Sequence, residues 1–389
     1  MSRFLFVVPP LTGHVNPAVG IAGELVGRGH EVAVAAHASV VGPLLPPDLP
    51  LIALPGDRPE EDRDEFERRG RALRGPASLK FLWDEFLIPL GDAMVGPVDA
   101  AVDDFRPDVL VVDQQAIGGA LVGRRRGMPW ATLATTSAEF DNPYLVLAGI
   151  GEWASDRLGD FSDSHGVPRG QSDLRFSDHL TLICSVEALL RTQDHPDHYA
   201  FVGAAAGWRR PTPDFPWDAL DPDRETVLIS LGTVVREIGG RFLTAAAQAA
   251  GLLADRVQAV IVAPEGLIVD PPANVLVREY VPQMELLDRV SGVVSHAGNN
   301  TVCESLSRGV PLVVAPVRDD QPVIAEQVVR AGVGERVRFG RVTPAALAKA
   351  IDAVLDPDGT YRAAALRLRD DFAAAGGVAA AADRLEKLN

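Results

Sequence analysis

Cysteine, lysine and long apolar runs are scarce in this 389-residue chain, and each scarcity excludes something. The two cysteines, Cys184 and Cys303, stand far apart without metal-ligand spacing. That excludes a disulfide framework and leaves reduced, buried thiols as the expectation, with the cytoplasm as the expected compartment. Basic residues number 37 against 53 acidic ones, a net charge of −16 spread through the chain. Nucleic acid and anionic membrane surfaces are therefore not expected partners, and small or neutral ones are. Arginine outnumbers lysine about elevenfold and alanine is abundant, a bias of GC-rich coding that points to an actinomycete. No run is long enough to span a bilayer. The opening MSRFLFVVPPL has no small-residue cleavage site and reads as a first strand rather than a signal peptide. After that strand no G-x-G-x-x-G appears, so a dinucleotide cofactor is unsupported.

A length of 389 residues with 47% hydrophobic content suits two domains of ordinary size, each with its own core. The most informative stretch runs from Val293 to Gln321. An apolar run (Ser291 to Ser295) gives way to a glycine-centred loop, a helix-forming segment from about Asn299, and a second apolar run, Pro311 to Pro316, ending in Asp319-Asp320-Gln321. Backbone N–H groups at such a helix start, reinforced by the helix dipole, suit a phosphate group. In open parallel sheets ligands sit beyond the carboxyl ends of the strands, so His296, Asn299, Asn300, Thr301, Asp320 and Gln321 are expected around one crevice. Near the N-terminus, Arg3 to Pro9 reads as a strand followed by a helix through Arg28, with His14 between them. Taken alone, His14 fits a structural hydrogen bond as well as it fits chemistry. Asp108 to Val112 reads as a buried strand ending at Asp113, which places that carboxylate in the same crevice and makes it the expected partner of His14.

HAGNNTVCESL followed by GVPLVVAPVRDDQ resembles the donor signature of the GT-B nucleotide-sugar glycosyltransferases. More narrowly, it is similar to the inverting bacterial enzymes that glycosylate antibiotic aglycones such as macrolides, enediynes and aromatic polyketides. The family pattern usually has glycine where Ala297 stands, and often glycine or tryptophan at Asn299. The resemblance covers essentially the whole chain. It implies an α/β GT-B fold: two Rossmann-like β/α/β domains facing a cleft, with the last helix crossing back to the first domain. It places an acceptor-binding domain at 1–205, a linker at 206–224, a donor-binding domain at 225–372 and the crossing helix at 373–389.

For the site, the resemblance implies His14, within Thr-Gly-His-x-x-Pro, as general base and Asp113 as the carboxylate that orients it. Thr233, in Leu-Gly-Thr after a strand from Thr226 to Ser230, would touch the donor phosphate. In EYVPQMELL, Tyr280 and Val281 would cradle the base, with Gln283 as a polar contact. His296, Gly298, Asn299, Asn300 and Thr301 would meet the diphosphate, Glu304 a ribose hydroxyl, and Asp320 and Gln321 the sugar. The implied activity is inverting transfer of a deoxy- or amino-modified hexose from a dTDP- or UDP-sugar to a hydroxyl of a hydrophobic natural product. No cofactor and no metal are implied, and a homodimer is left open. A nucleotide-sugar epimerase of the same fold and a silent nucleotide-sugar-binding partner are the competing readings.

The remaining stretches carry weaker expectations. Pro55 to Gly75 reads as a charged, solvated loop. Leu79 to Leu90 suits a core helix or the wall of an acceptor pocket, the surrounding negative charge disfavouring a membrane. Ser137 to Asp178 is rich in glycine, aspartate and serine with scattered aromatics, Phe140, Tyr144 and Trp153, and the resemblance implies that it varies with the acceptor. His195 and His198, among prolines and aspartates, read as loop residues. Asp221-Pro222-Asp223 and Asp356-Pro357-Asp358 mimic metal triplets but do not follow strands, so both read as turns. Thr343 to Leu355 and Tyr361 to Leu388 are helical by pattern.

Overall fold

A computed structural model describes residues 1–56, 68–70, 73, 75–141, 149–169, 173–190, 194–208, 214–232 and 239–389. The chain divides into two compact units. One comprises Met1–Val186, Thr192–Arg210 and Ala375–Asn389, and the other Glu187–Arg191 and Pro211–Ala374. Thr233, Tyr144 and most of the charged stretch from Pro55 to Gly75 lie outside the described residues.

The first unit holds seven parallel strands in the order β3-β2-β1-β4-β5-β6-β7. They are β1 (Arg3–Val7), β2 (Glu31–Ala36), β3 (Leu51–Ala53), β4 (Val109–Asp113), β5 (Trp130–Ala134), β6 (Leu180–Ile183) and β7 (Tyr199–Phe201). Their apolar runs are continuous because both faces are covered. Phe4 and Phe6 pack with Ile21 and Leu25 of the helix Thr12–Gly27, whereas Leu5 and Val7 pack with Met94, Val98 and Leu121 on the other side. The Leu79 to Leu90 stretch is core at Trp83, Leu87 and Leu90, where a π-helical turn, Trp83–Leu87, joins the helices Pro76–Leu82 and Ile88–Phe105.

The second unit holds six parallel strands in the order β10-β9-β8-β11-β12-β13. They are β8 (Glu225–Ser230), β9 (Val257–Val262), β10 (Val275–Arg278), β11 (Gly292–Ser295), β12 (Leu312–Val314) and β13 (Gly334–Arg336). Each sheet reverses its strand order once, between β1 and β4 in the first and between β8 and β11 in the second. Such switch points splay the loops of neighbouring strands apart and open a crevice at the carboxyl ends.

The Gly-, Asp- and Ser-rich stretch from Ser137 to Asp178 contains a helix, Ile150–Ser164, that buries Ala154, Leu158 and Phe161 at helical spacing. Its glycines and aspartates lie among that stripe and hid it. The segment is also pinned: Arg175 is buried and grips Asp173 through both carboxylate oxygens, and it also pairs with Glu139. The final stretch, read as one helix, is two, Thr360–Ala375 and Gly377–Leu385, because Gly376 and Gly377 take φ values of 82° and 61° that only glycine adopts readily. The last helix packs within the first unit. It buries Ala381, Ala382 and Leu385 in the same cluster as Ile21 and Leu25, and Arg28 reaches Asp383 at 2.6 Å and Glu386 at 3.2 Å.

Candidate active site

β1 runs through Pro9 and Pro10 into the helix Thr12–Gly27, whose first turn carries His14. Asp113 is the last residue of β4, the neighbour of β1 across the switch point. The topology alone thus brings the two together. His14 Nδ1 lies 3.0 and 2.9 Å from the two Asp113 oxygens. The carboxylate is buried, and the cost of taking it out of water is offset by several donors. Besides the imidazole, the Thr135 hydroxyl donates to Oδ2 at 3.0 Å and the Gln115 N–H to Oδ1 at 2.8 Å. Thr135 Oγ1 also stands 2.7 Å from His14 Nδ1. With Nδ1–H committed to the carboxylate, the tautomer is the one that leaves the lone pair on Nε2. Asp113 can then stabilise the imidazolium formed when Nε2 takes a proton. Thr135 was not singled out from the sequence, although it follows strand β5 as Asp113 ends β4, and the same positional rule selects it.

In the second unit the loop after β11 turns through Ala297 at φ 68°, a left-handed conformation that costs an L-residue about 1–2 kcal/mol. This is the position where the family pattern usually has glycine. The Ser295 hydroxyl accepts from the Ala297 N–H at 3.1 Å and holds the turn. Gly298 then caps the helix Asn299–Leu306 without a side-chain acceptor. Helix geometry leaves the first-turn N–H groups of Asn299, Asn300 and Thr301 without intrahelical acceptors, which is the arrangement that receives an anion.

His296 sits beside this helix start, buried, with no hydrogen-bond partner at Nδ1 among the described residues. Its ring lies against two glycines. A Cβ on Gly298 would come within 2.6 Å of Nε2, and one on Gly232, after β8, within 2.8 Å of Cε1. Burial lowers the His296 pKa to about 4, so the imidazole is neutral at pH 7. A buried neutral imidazole with an unsatisfied nitrogen thus stands beside a helix N-terminus, the end of a helix that favours negative charge.

The other residues named from the sequence fall around the same sheet end. The Gln283 amide donates to the Glu304 carboxylate at 2.7 Å, so the expected base-side and ribose-side contacts are bonded to each other. Tyr280 is 56% exposed and, with half-buried Val281, lies between β10 and the short helix Gln283–Leu287. Asp320 and Gln321 open the helix Gln321–Arg330 after β12. The Gln321 carbonyl oxygen accepts from the N–H groups of Val317 and Arg318, at 2.9 and 3.2 Å, which ties the side chain to the loop after β12.

Neither aspartate triplet gathers ligands. Asp221 and Asp356 each accept from the N–H two residues on, at 3.0 Å in both cases, and so close local turns. Among the described residues no group of three or more His, Cys, Asp or Glu side chains comes together as a metal site, and no helix is long and apolar enough to cross a membrane.

Residues 252–388 match the family model described as "Erythromycin biosynthesis protein CIII-like, C-terminal domain". The whole chain is 30% identical over 431 residues to 4'-demethylrebeccamycin synthase of Lentzea aerocolonigenes, covering 100% of this chain and 99% of the relative. It is 27% identical over 423 residues to demethyllactenocin mycarosyltransferase of Streptomyces fradiae, covering 100% of this chain and 87% of the relative. Among solved structures, the kitacinnamycin glycosyltransferase superposes with a TM-score of 0.76 at 25% identity, over 100% of this chain and 98% of that one. These relatives favour glycosyl transfer over the epimerase and the silent binding partner. The chain belongs to the GT-B glycosyltransferases of natural-product biosynthesis and is a glycosyltransferase.

Proposed function

We propose that this enzyme transfers a deoxy- or amino-modified hexose, with inversion, from a dTDP- or UDP-sugar to a hydroxyl of a hydrophobic natural product. The observation that carries the reading is the hydrogen-bonded set His14, Asp113 and Thr135 at the switch point of the first sheet. In the reaction, His14 Nε2 takes the proton of the acceptor hydroxyl while its oxygen bonds to the anomeric carbon. The bond from that carbon to the diphosphate oxygen breaks, and the nucleoside diphosphate leaves. Proton transfer to a positioned base contributes about 10² to 10⁴ in rate. The charge that develops on the leaving group is met by His296 and the N–H groups of Asn299, Asn300 and Thr301. Thr233 is assigned to the same phosphates. Glu304 takes a ribose hydroxyl, Asp320 and Gln321 the sugar, and Tyr280 stacks on the pyrimidine with Val281 and Gln283 beside it.

The relative from Streptomyces fradiae is named as a mycarosyltransferase acting on demethyllactenocin, which supports a modified hexose and a natural-product acceptor. No metal takes part in this proposal, since helix amides and an imidazole face the diphosphate, and the enzyme is assigned to the cytoplasm. The test is product analysis with dTDP- and UDP-sugars in the presence of EDTA. Expected is a glycoside of inverted anomeric configuration, read by NMR. A product of retained configuration, or activity that returns only with Mg²⁺, overturns the corresponding part of the reading.

A further inference from the structure

Immediately after Asp113 stands a side chain that the catalytic arrangement does not use. Gln114 is only 2% exposed, and neither its amide nitrogen nor its amide oxygen has a hydrogen-bond partner among the described residues. The adjacent Gln115 also has a buried amide oxygen without a partner. A primary amide offers two donors and an acceptor, and leaving them buried and unmade is costly, so native proteins rarely keep such a group without a use.

Its place in the fold indicates the use. The Gln114 N–H still bonds to the Leu133 carbonyl at 3.1 Å, so β4 pairing with β5 extends to this residue. Along β4, Val109 and Val111 pack in the layer with the helix Thr12–Gly27, and Leu110 and Val112 in the layer with the helix Ile88–Phe105. Asp113 continues on the first side, where His14 lies, and Gln114 opens the turn that the Ala116 N–H closes on the Asp113 carbonyl at 2.8 Å. The two neighbours stand at one strand tip, at the carboxyl end where the switch-point crevice opens.

We propose that Gln114 is a specificity-determining residue for the acceptor: its amide hydrogen-bonds a hydroxyl or carbonyl adjacent to the hydroxyl that His14 deprotonates, with the Gln115 amide oxygen beside it. The inference rests on the glycosyl-transfer reading above and adds to it a substrate class, acceptors with a second polar group flanking the nucleophile. A site built to bond such a group discriminates against analogues without it, because its own buried amide is otherwise left unpaired.

The test compares two coumarin probes, 6,7-dihydroxycoumarin and 7-hydroxycoumarin, which share the 7-hydroxyl and differ by one flanking hydroxyl. Wild-type enzyme is expected to favour the dihydroxy probe in kcat/KM, and Gln114→Met to collapse that preference by roughly tenfold or more with donor KM unmoved. The ligand-free Gln114→Met protein is expected to melt about 3 °C or more above wild type, because a similar-sized apolar chain removes two unsatisfied polar groups. A purely structural amide gives the opposite thermal result. A Gln114→Met protein less stable than wild type, or an unchanged preference between the coumarins, overturns the proposal. Failure of the glycosyl-transfer reading itself shows differently, as no nucleotide release by wild-type enzyme with either probe from any of dTDP-glucose, UDP-glucose, a dTDP-deoxyhexose and a dTDP-aminohexose.

Discussion

Gly298→Ala isolates the role of His296, because it changes a contact without straining the backbone. Gly298 has φ −67° and ψ 134°, a conformation open to any residue. The added Cβ would stand 2.6 Å from His296 Nε2 and 2.8 Å from Cε1, where ordinary contact begins at 3.4 Å. The imidazole must therefore shift by most of an ångström inside a packed site that Gly232 also borders. Overpacking of this kind costs about 1–3 kcal/mol, which lowers Tm by roughly 2–10 °C in a chain portion of this size. A displaced imidazole would also lose the hydrogen bond to the donor phosphates proposed for it, and a bond to a charged group contributes about 1.5–3 kcal/mol. The variant should then show kcat/KM for the donor down roughly 10- to 100-fold, measured by varying dTDP- or UDP-sugar at saturating acceptor. Scanning fluorimetry supplies the stability. A Gly298→Ala enzyme with wild-type Tm and unchanged donor kinetics would refute the placement of His296 against the donor.

Three further outcomes follow from the same geometry. Since burial lowers the His296 pKa to about 4 from the ordinary 6.5, the fold favours the neutral form. Its stabilisation is present above pH 6.5 and declines as pH falls toward 4, where the unfolded chain takes up the proton, by about 3 kcal/mol in all. Denaturant titrations at pH 7, 5 and 4 should show this slope in wild type and a shallower one in His296→Gln. Asp113→Asn frees Nδ1 from its carboxylate and should lower kcat by about 10² to 10⁴ with donor KM retained, as initial rates will show. Truncation after Gly376 removes the buried Ala381, Ala382 and Leu385 and the partners of Arg28, and should cost the first unit roughly 3–5 kcal/mol, seen as a lower melting transition.

The strands that hold the chemistry were legible in the sequence for a physical reason. Buried on both faces, β1, β4, β8 and β11 write themselves as unbroken apolar runs, and the residues after them follow by rule. His14 and Asp113 were reached in that way, and the structure places them 2.9 Å apart. The helix Ile150–Ser164 was not legible, because glycine, serine and aspartate occupy its exposed and close-packed positions and mask the stripe of Ala154, Leu158 and Phe161. Gln114 was equally invisible, since a glutamine after a strand announces nothing until both its amide atoms are seen buried without partners. The bond between Gln283 and Glu304 joins positions 21 apart and depends on where the helix Asn299–Leu306 is set beside its neighbour, which no local pattern encodes. The strain at Ala297 shows only in its φ, although the sequence marks the position by the absence of the usual glycine.

The central claim is that His14 is the base and that nucleotide binding is independent of it. The most direct measurement pairs turnover with nucleotide affinity in His14→Ala, by product formation and by calorimetry with dTDP and UDP. The account predicts transfer reduced by about 10² or more with nucleotide affinity unchanged. Near-normal transfer, or a large loss of dTDP and UDP affinity in this variant, would contradict it.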